Sequence, residues 1–229
     1  ADALTSEELI RCFGVLSHDL KSPIFAIDGF SELLLSDYES KLDADGQDFL
    51  RRVRAATQQI KRVLDDMSST VKLLSRPNAL RDVDLRDIVE ELRLKYARQI
   101  EEGGVTIEVT EPLPSLRCDP DKIREALGAV LSNSLFYNDR EKGTRQIRIA
   151  IDRAPDGMAR MCISDNGIGI DPKYVQQIFN LGVKLDRSRG GGPGYGLYMA
   201  RRVAESHGGK LTVQSAPGEG STFCIEFPA

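Results

Sequence analysis

The sequence predicts two different kinds of domain in succession: a helical hairpin that pairs into a dimeric four-helix bundle, then a mixed α+β layer domain. Three observations predict this. Two heptad-spaced apolar runs fill the first 75 residues, which carry almost no strand signal. A proline-containing break follows at residues 76–81. Beyond Val83, strand-period and helix-period segments mix and the chain closes on a hairpin.

In the first run, Leu9, Phe13, Leu16, Leu20, Pro23, Ile27, Phe30 and Leu34 follow at alternating steps of four and three, the signature of a coiled-coil seam. Phe49, Val53, Ala56, Ile60, Val63, Met67, Thr70 and Leu74 repeat it. The polar stretch 36–46 between them reads as a turn. One hairpin offers two narrow seams and little else to bury, so two copies are expected to pack side by side through residues 1–75. The alternative is that the hairpin packs on its own second domain.

Pro77 disfavours helix at the residue before it and marks the boundary, giving domains at 1–76 and 82–229. In the second, Leu85–Gln99 reads as a helix and Val105–Val109 as a strand. Asp121–Tyr137 reads as a long helix with Asp119 or Asp121 near its cap. Ile147–Ile151 and Arg160–Ser164 read as strands, and Pro172–Phe179 and Gly196–Ser206 as helices. Leu211–Ser215 and Thr222–Phe227 form the closing hairpin around Pro217-Gly218-Glu219-Gly220.

Composition narrows the function. Apolar residues make up 41% and charged residues 29%, enough for a packed core. Acids exceed bases by 35 to 31, and no basic stripe appears, which argues against a nucleic-acid partner. No apolar run is long enough to span a bilayer. The opening Ala-Asp-Ala has no signal-peptide pattern and reads as an internal start. Cys12, Cys118, Cys162 and Cys224 lie far apart, mostly among apolar residues. They are expected to be buried free thiols in a reducing compartment rather than disulfides or a metal cluster. With two histidines, a multi-histidine metal site is excluded. The segment is therefore expected in the cytoplasm, with membrane anchoring of the parent protein left open.

With Phe13, Leu20, Ile27 and Leu34 at heptad position a, His18 falls at f, furthest from the seam. Asp19 follows it, Ser22 is one turn on, and Pro23 interrupts the helix bonding beside it. An imidazole there is mostly uncharged at neutral pH and nucleophilic, and a neighbouring carboxylate can hold one ring proton. The string Ser17-His18-Asp19-Leu20-Lys21-Ser22-Pro23-Ile24 resembles the phosphoacceptor box of sensor histidine kinases. That resemblance implies that His18 attacks the γ-phosphorus of ATP with Asp19 as partner. It also implies that Ser22, where Thr or Asn is usual, positions water for dephosphorylating a partner.

Further boxes of the same family follow in order. Asp165-Asn166-Gly167-Ile168-Gly169-Ile170 leaves a strand; the resemblance implies that Asp165 accepts a hydrogen bond from the adenine amino group, while Gly167 and Gly169 let backbone pass close to base and phosphates. Gly190-Gly191-Gly192-Pro193-Gly194-Tyr195-Gly196-Leu197 runs into a helix, where backbone amides suit phosphate; Gly192, Gly194, Gly196 and Leu197 are the residues implied. Pro172–Gly192 would form an ATP lid. By position in the family's phenylalanine box, which Ile178-Phe179 and residues 184–189 resemble, the resemblance implies Lys184 as the cation that meets the γ-phosphate, with Arg189 a weaker candidate. Gly218-Glu219-Gly220-Ser221-Thr222-Phe223 resembles the closing Gly-x-Gly-x-Thr box, with Thr222 near the adenine.

The remaining box, from Asp119 to Asn138, is the least orthodox. Asn133 and Tyr137 match the family's second asparagine and its tyrosine, but Ala129 replaces the first asparagine and Phe136 the lysine. Asn133 is then the residue implied to present an oxygen to Mg²⁺. Together the boxes imply a Bergerat-type α/β-sandwich ATP-binding domain, an upstream sensor domain outside these residues, and a response-regulator receiver domain as partner. Two readings stay open. One is a kinase that phosphorylates His18 and passes phosphate to a response-regulator aspartate. The other is a pseudokinase-like signalling scaffold with weak or no phosphoryl transfer, for which Ala129 and Phe136 speak. A chaperone-like or topoisomerase-like ATPase is more distant, since neither needs the heptad hairpin with its histidine.

Overall fold

The computed structural model describes residues 6–139, 141–153, 157–185 and 194–228, with backbone only for residues 6–13 and 18. The chain separates into two units, 1–76 and 77–229.

The first unit is the hairpin. Helix α1 spans Ser6–Asp37 and α2 spans Ala44–Ser75. The Asp43 side chain caps α2 by accepting from the Gly46 amide at 2.8 Å. The helices close on each other along Ser17, Ile24 and Ser31 of α1 and Thr57 and Leu64 of α2, all buried. This seam is largely polar. Ser31 and Thr57 donate back to their own helix, to the Ile27 and Val53 carbonyls. Lys21 pairs with Asp65 at 2.8 Å, and Arg54 reaches Glu32. The heptad seam read from the sequence lies elsewhere on the helices. Leu16, Leu20, Ile27, Phe30, Leu34, Phe49, Val53 and Ile60 are exposed in a single chain.

In the second unit a five-stranded sheet has the order β2-β4-β5-β7-β6. Its strands are β2 (Val105–Thr110), β4 (Arg145–Arg153), β5 (Met158–Asp165), β6 (Lys210–Ala216) and β7 (Gly220–Pro228). Only the β2–β4 pairing is parallel. Alternation along each strand separates two faces. Ile147, Ile149, Met161, Ile163, Phe223, Ile225 and Phe227 are buried. Against that face pack α5 (Pro120–Phe136) and α6 (Gly196–Ser206), with α3 (Leu85–Lys95) packed on α5. Arg160, Cys162, Ser164, Thr222, Cys224 and Glu226 alternate onto the other, partly exposed face.

Several elements differ from the sequence expectation. The helix expected at Leu85–Gln99 breaks at Tyr96 into α3 and α4 (Ala97–Gly103), and the Tyr96 hydroxyl donates to the Gly128 carbonyl. Pro172–Phe179 is two short 3-10 turns rather than a helix. A small antiparallel pair, β1 (Arg81–Asp84) with β3 (Ser115–Cys118), was not legible from periodicity. Residues 77–81, expected as a break, are tied into the second unit. Asn78 donates to the Ser206 carbonyl and accepts from Lys122, and the Ala79 amide donates to Asp119.

The cysteine expectation requires correction. Cys118 is free and buried, but Cys162 and Cys224 are joined in a disulfide. They face each other in register on β5 and β7, a relation that depends on strand pairing and not on sequence spacing. Among the described residues no cluster of side chains suits a bound metal ion, and no helix is long and apolar enough to cross a membrane.

Candidate nucleotide site

At the C-terminal end of β5 several polar groups converge on one carboxylate. Strand parity places Asp165 on the same side as buried Met161 and Ile163, toward α5. Its Oδ1 accepts from the Gly167 amide at 2.9 Å and the Ser221 amide at 3.2 Å, and its Oδ2 accepts from the Ser134 hydroxyl at 2.9 Å. Burial pushes the Asp165 carboxyl above its usual range, while these three donors and the Lys142 charge oppose the shift. A carboxylate has about four acceptor directions. Among the described residues three are filled, all by groups that hold the carboxylate in place.

The loop after Asp165 is closed by its neighbours. The Ile168 amide donates to the Tyr137 carbonyl, and Gly218 N–H donates to the Ile168 carbonyl at 2.7 Å. Ile170 N–H donates to Ser215. A Cβ on Gly167 would meet the Tyr137 carbonyl, and one on Gly169, at φ +70°, would overlap the Ala216 carbonyl. These glycines therefore admit close approach of the protein's own backbone.

Lys142 was missed by sequence reading. Its ammonium donates to the Asn166 and Gly218 carbonyls at 2.6 Å each and to the Gly167 carbonyl at 3.3 Å. One cation thus staples the loop after β5 to the turn between β6 and β7. Ser134 and Ser221 were also missed. Ser134 follows Asn133 on α5, and Ser221 precedes Thr222 by one strand position.

That single position decides which of the two serves Asp165. Thr222, expected near the adenine, lies on the other face of the sheet, where its hydroxyl donates to Ser164 at 2.9 Å. The Ser221 backbone takes the place at Asp165.

The other expected residues fall into two groups. Asn133 and Tyr137 lie one turn apart at the end of α5, where Phe136 and Tyr137 stack edge to face at 4.9 Å. Ala129 lies against Gly196, the first residue of α6, so the position of the missing asparagine faces the helix that follows the glycine-rich run. Leu197 is in the first turn of α6. Gly194 (φ +83°) lies against the Lys184 side chain, and its carbonyl accepts from Gly182. Gly192, with residues 186–193 as a whole, lies outside the described residues. His18, Asp19 and Ser22 lie on α1, in the other unit; the backbone of His18 is helical, and its side chain lies outside the described residues.

A two-helix hairpin bearing the His18 box and a sheet unit built around a strand-end aspartate each match a family model. Residues 8–76 match the His Kinase A (phospho-acceptor) domain, and residues 118–229 match the histidine kinase-, DNA gyrase B- and HSP90-like ATPase. The chain is a histidine kinase transmitter region. Cyanobacterial phytochrome B of Nostoc sp. is 35% identical over 96% of this chain and 29% of its own length. Sensor protein DivL of Caulobacter vibrioides is 33% identical over 97% of this chain and 28% of its own length. This transmitter region thus spans less than a third of these curated relatives. Among solved structures, full-length ShkA in complex with AMPPNP superposes with a TM-score of 0.74 at 23% identity, covering 95% of this chain and 45% of that one, a likeness of fold.

Proposed function

We propose that this transmitter region is the working part of a two-component sensor histidine kinase. In this reading the second unit binds ATP, His18 takes its γ-phosphate, and the phosphate passes to an aspartate on a response-regulator receiver domain. The observation that carries it is the Asp165 carboxylate, held by Gly167, Ser221 and Ser134 with acceptor capacity to spare for an amino group such as that of adenine. The matched ATPase family supports the ligand, as does the nucleotide analogue bound to ShkA.

In the transfer, a ring nitrogen of His18 attacks the γ-phosphorus, the bond to the β-phosphate oxygen breaks, ADP leaves, and the ring proton is lost. Asp19 is the group beside His18 suited to receive that proton. Lys184 and the amides of Gly194, Gly196 and Leu197 at the start of α6 would face the phosphates. Mg²⁺ fits a thin site: Asn133 offers one side-chain oxygen and Ala129 none, so triphosphate and water would complete the shell. The ion would neutralise phosphate charge.

We further propose a homodimer through residues 1–75, supported by the exposed heptad seam, division of labour between 1–76 and 82–229, an upstream sensor domain, and a place in the cytoplasm, where ATP is supplied.

The test is incubation with γ-labelled ATP. Acid-labile label that disappears in His18→Ala is expected. Nucleotide binding without label would instead support the scaffold, which the comparisons do not favour. Adding Ala129→Asn and Phe136→Lys asks whether the missing polar groups limit the rate; faster labelling is expected.

A further inference from the structure

The three described cysteines divide sharply. Cys118 is fully buried, its thiol pushed up to about 11 mainly by burial, and it is chemically quiet. Cys162 and Cys224 sit on the partly exposed face of the sheet, away from the helices. They are direct cross-strand partners on β5 and β7 with a Cα–Cα distance of 4.1 Å, the closer of the two spacings that antiparallel partners adopt. Their direct neighbours in the flanking strands are small, Ala150 beside Cys162 and Thr212 beside Cys224, and both cysteines are partly exposed.

The pair occupies a consequential place. β5 delivers Asp165 three residues beyond Cys162, and β7 delivers Ser221 three residues before Cys224. These are the two strands whose ends meet at the Asp165 carboxylate. In a reducing compartment, partly exposed cysteines of this kind are thiols at rest and form disulfides transiently, as redox-responsive sites.

We propose that Cys162 and Cys224 are a reversible thiol–disulfide modification site that braces β5 against β7. In the oxidising direction the two thiols lose two protons and two electrons. Hydrogen peroxide accepts them and leaves as two waters, or a small disulfide accepts them and leaves as two thiols. In the other direction a dithiol attacks the bond, is itself oxidised to a disulfide, and returns both cysteines to thiols. The bond closes a loop with a sequence separation of 62, which restricts the unfolded chain and stabilises the sheet.

The test uses the full chain and reads linkage and melting, neither of which depends on nucleotide binding, so it stands or falls apart from the kinase reading. Folded protein is treated with oxidised glutathione or hydrogen peroxide, alkylated, and digested for mass analysis, with and without later dithiothreitol. A Cys162–Cys224 linked peptide that dithiothreitol abolishes is expected. The oxidised form should melt at least about 5 °C higher than the reduced form. Cys162→Ser and Cys224→Ser, each alone, should lose that difference. Alkylation of both residues after oxidation, linkage to Cys12 or Cys118 instead, or an equal melting shift in the single variants would overturn the proposal.

Discussion

In the hairpin, Phe30 and Phe49 are 67% and 64% exposed, whereas in the sheet unit Phe223 and Phe227 are essentially inaccessible. Both units have regular apolar patterns, but only one completes its core within a single chain. The seam that closes the hairpin has only Ile24 and Leu64 as large buried apolar residues, beside Ser17, Ser31, Thr57 and ion pairs. Most of its described large apolar residues, Phe30 and Phe49 among them, are held on the outside. The lesson is that pattern strength and burial are separate quantities: the hairpin has the stronger pattern and the weaker core, which is what a bundle completed by a second copy requires.

The largest expected effects test that contrast directly. Ile27→Glu with Phe30→Glu should raise the dimer dissociation constant by more than about 100-fold, measured by sedimentation, and leave the sheet unit's melting unchanged. Phe223→Ala should do the reverse, costing about 3–5 kcal/mol in the sheet unit while the oligomeric state is kept. A hairpin that stays dimeric with two glutamates in its seam would break the comparison.

A smaller effect is expected at Lys142. Lys142→Met removes three charge-assisted bonds to carbonyls, and should weaken binding of a fluorescent ATP analogue several-fold with little change in the hairpin. Lys142→Arg should recover part of the loss, which a purely steric role would not allow.

The smallest is a pH effect confined to the sheet unit. The Nδ1–H of His207 donates to the Val203 carbonyl, so its Nε2 is the acceptor for the Asp119 amide and the ring is neutral. Burial holds its pKa below the usual value, with Lys122 acting in the same direction and the Val203 bond and Asp119 charge opposing. The folded state therefore binds fewer protons than the unfolded chain. Stability is fully present above the unfolded value of about 6.5 and is lost as pH falls below it. Melting of the sheet unit should drop between pH 7 and 5.5, and His207→Gln should flatten that drop.

The sequence made legible most of what depends on near neighbours, the short turns at Pro172–Phe179 excepted. The hairpin with its turn, the start of α5 at the Asp119 cap and the end of α6 before His207 all follow from periodicity and capping. What escaped depends on partners distant along the chain. The helix ends at Tyr96, whose hydroxyl bonds the Gly128 carbonyl 32 residues away. Cys162 meets Cys224 only through strand register. Lys142 finds its carbonyls 24 and 76 residues away. Thr222 and Ser221 exchange roles on the parity of β7, which the Gly-x-Gly-x-Thr pattern alone does not specify.

The Asp119 side chain accepts from the backbone amides of Ala79, Asp121 and Lys122. It therefore clasps the segment entering the second unit to the first turn of α5. From there to Asn133 the helix runs unbroken for about 20 Å. The entering segment and Asn133 are thus mounted on the two ends of one rod, with no loop between them to absorb a pull.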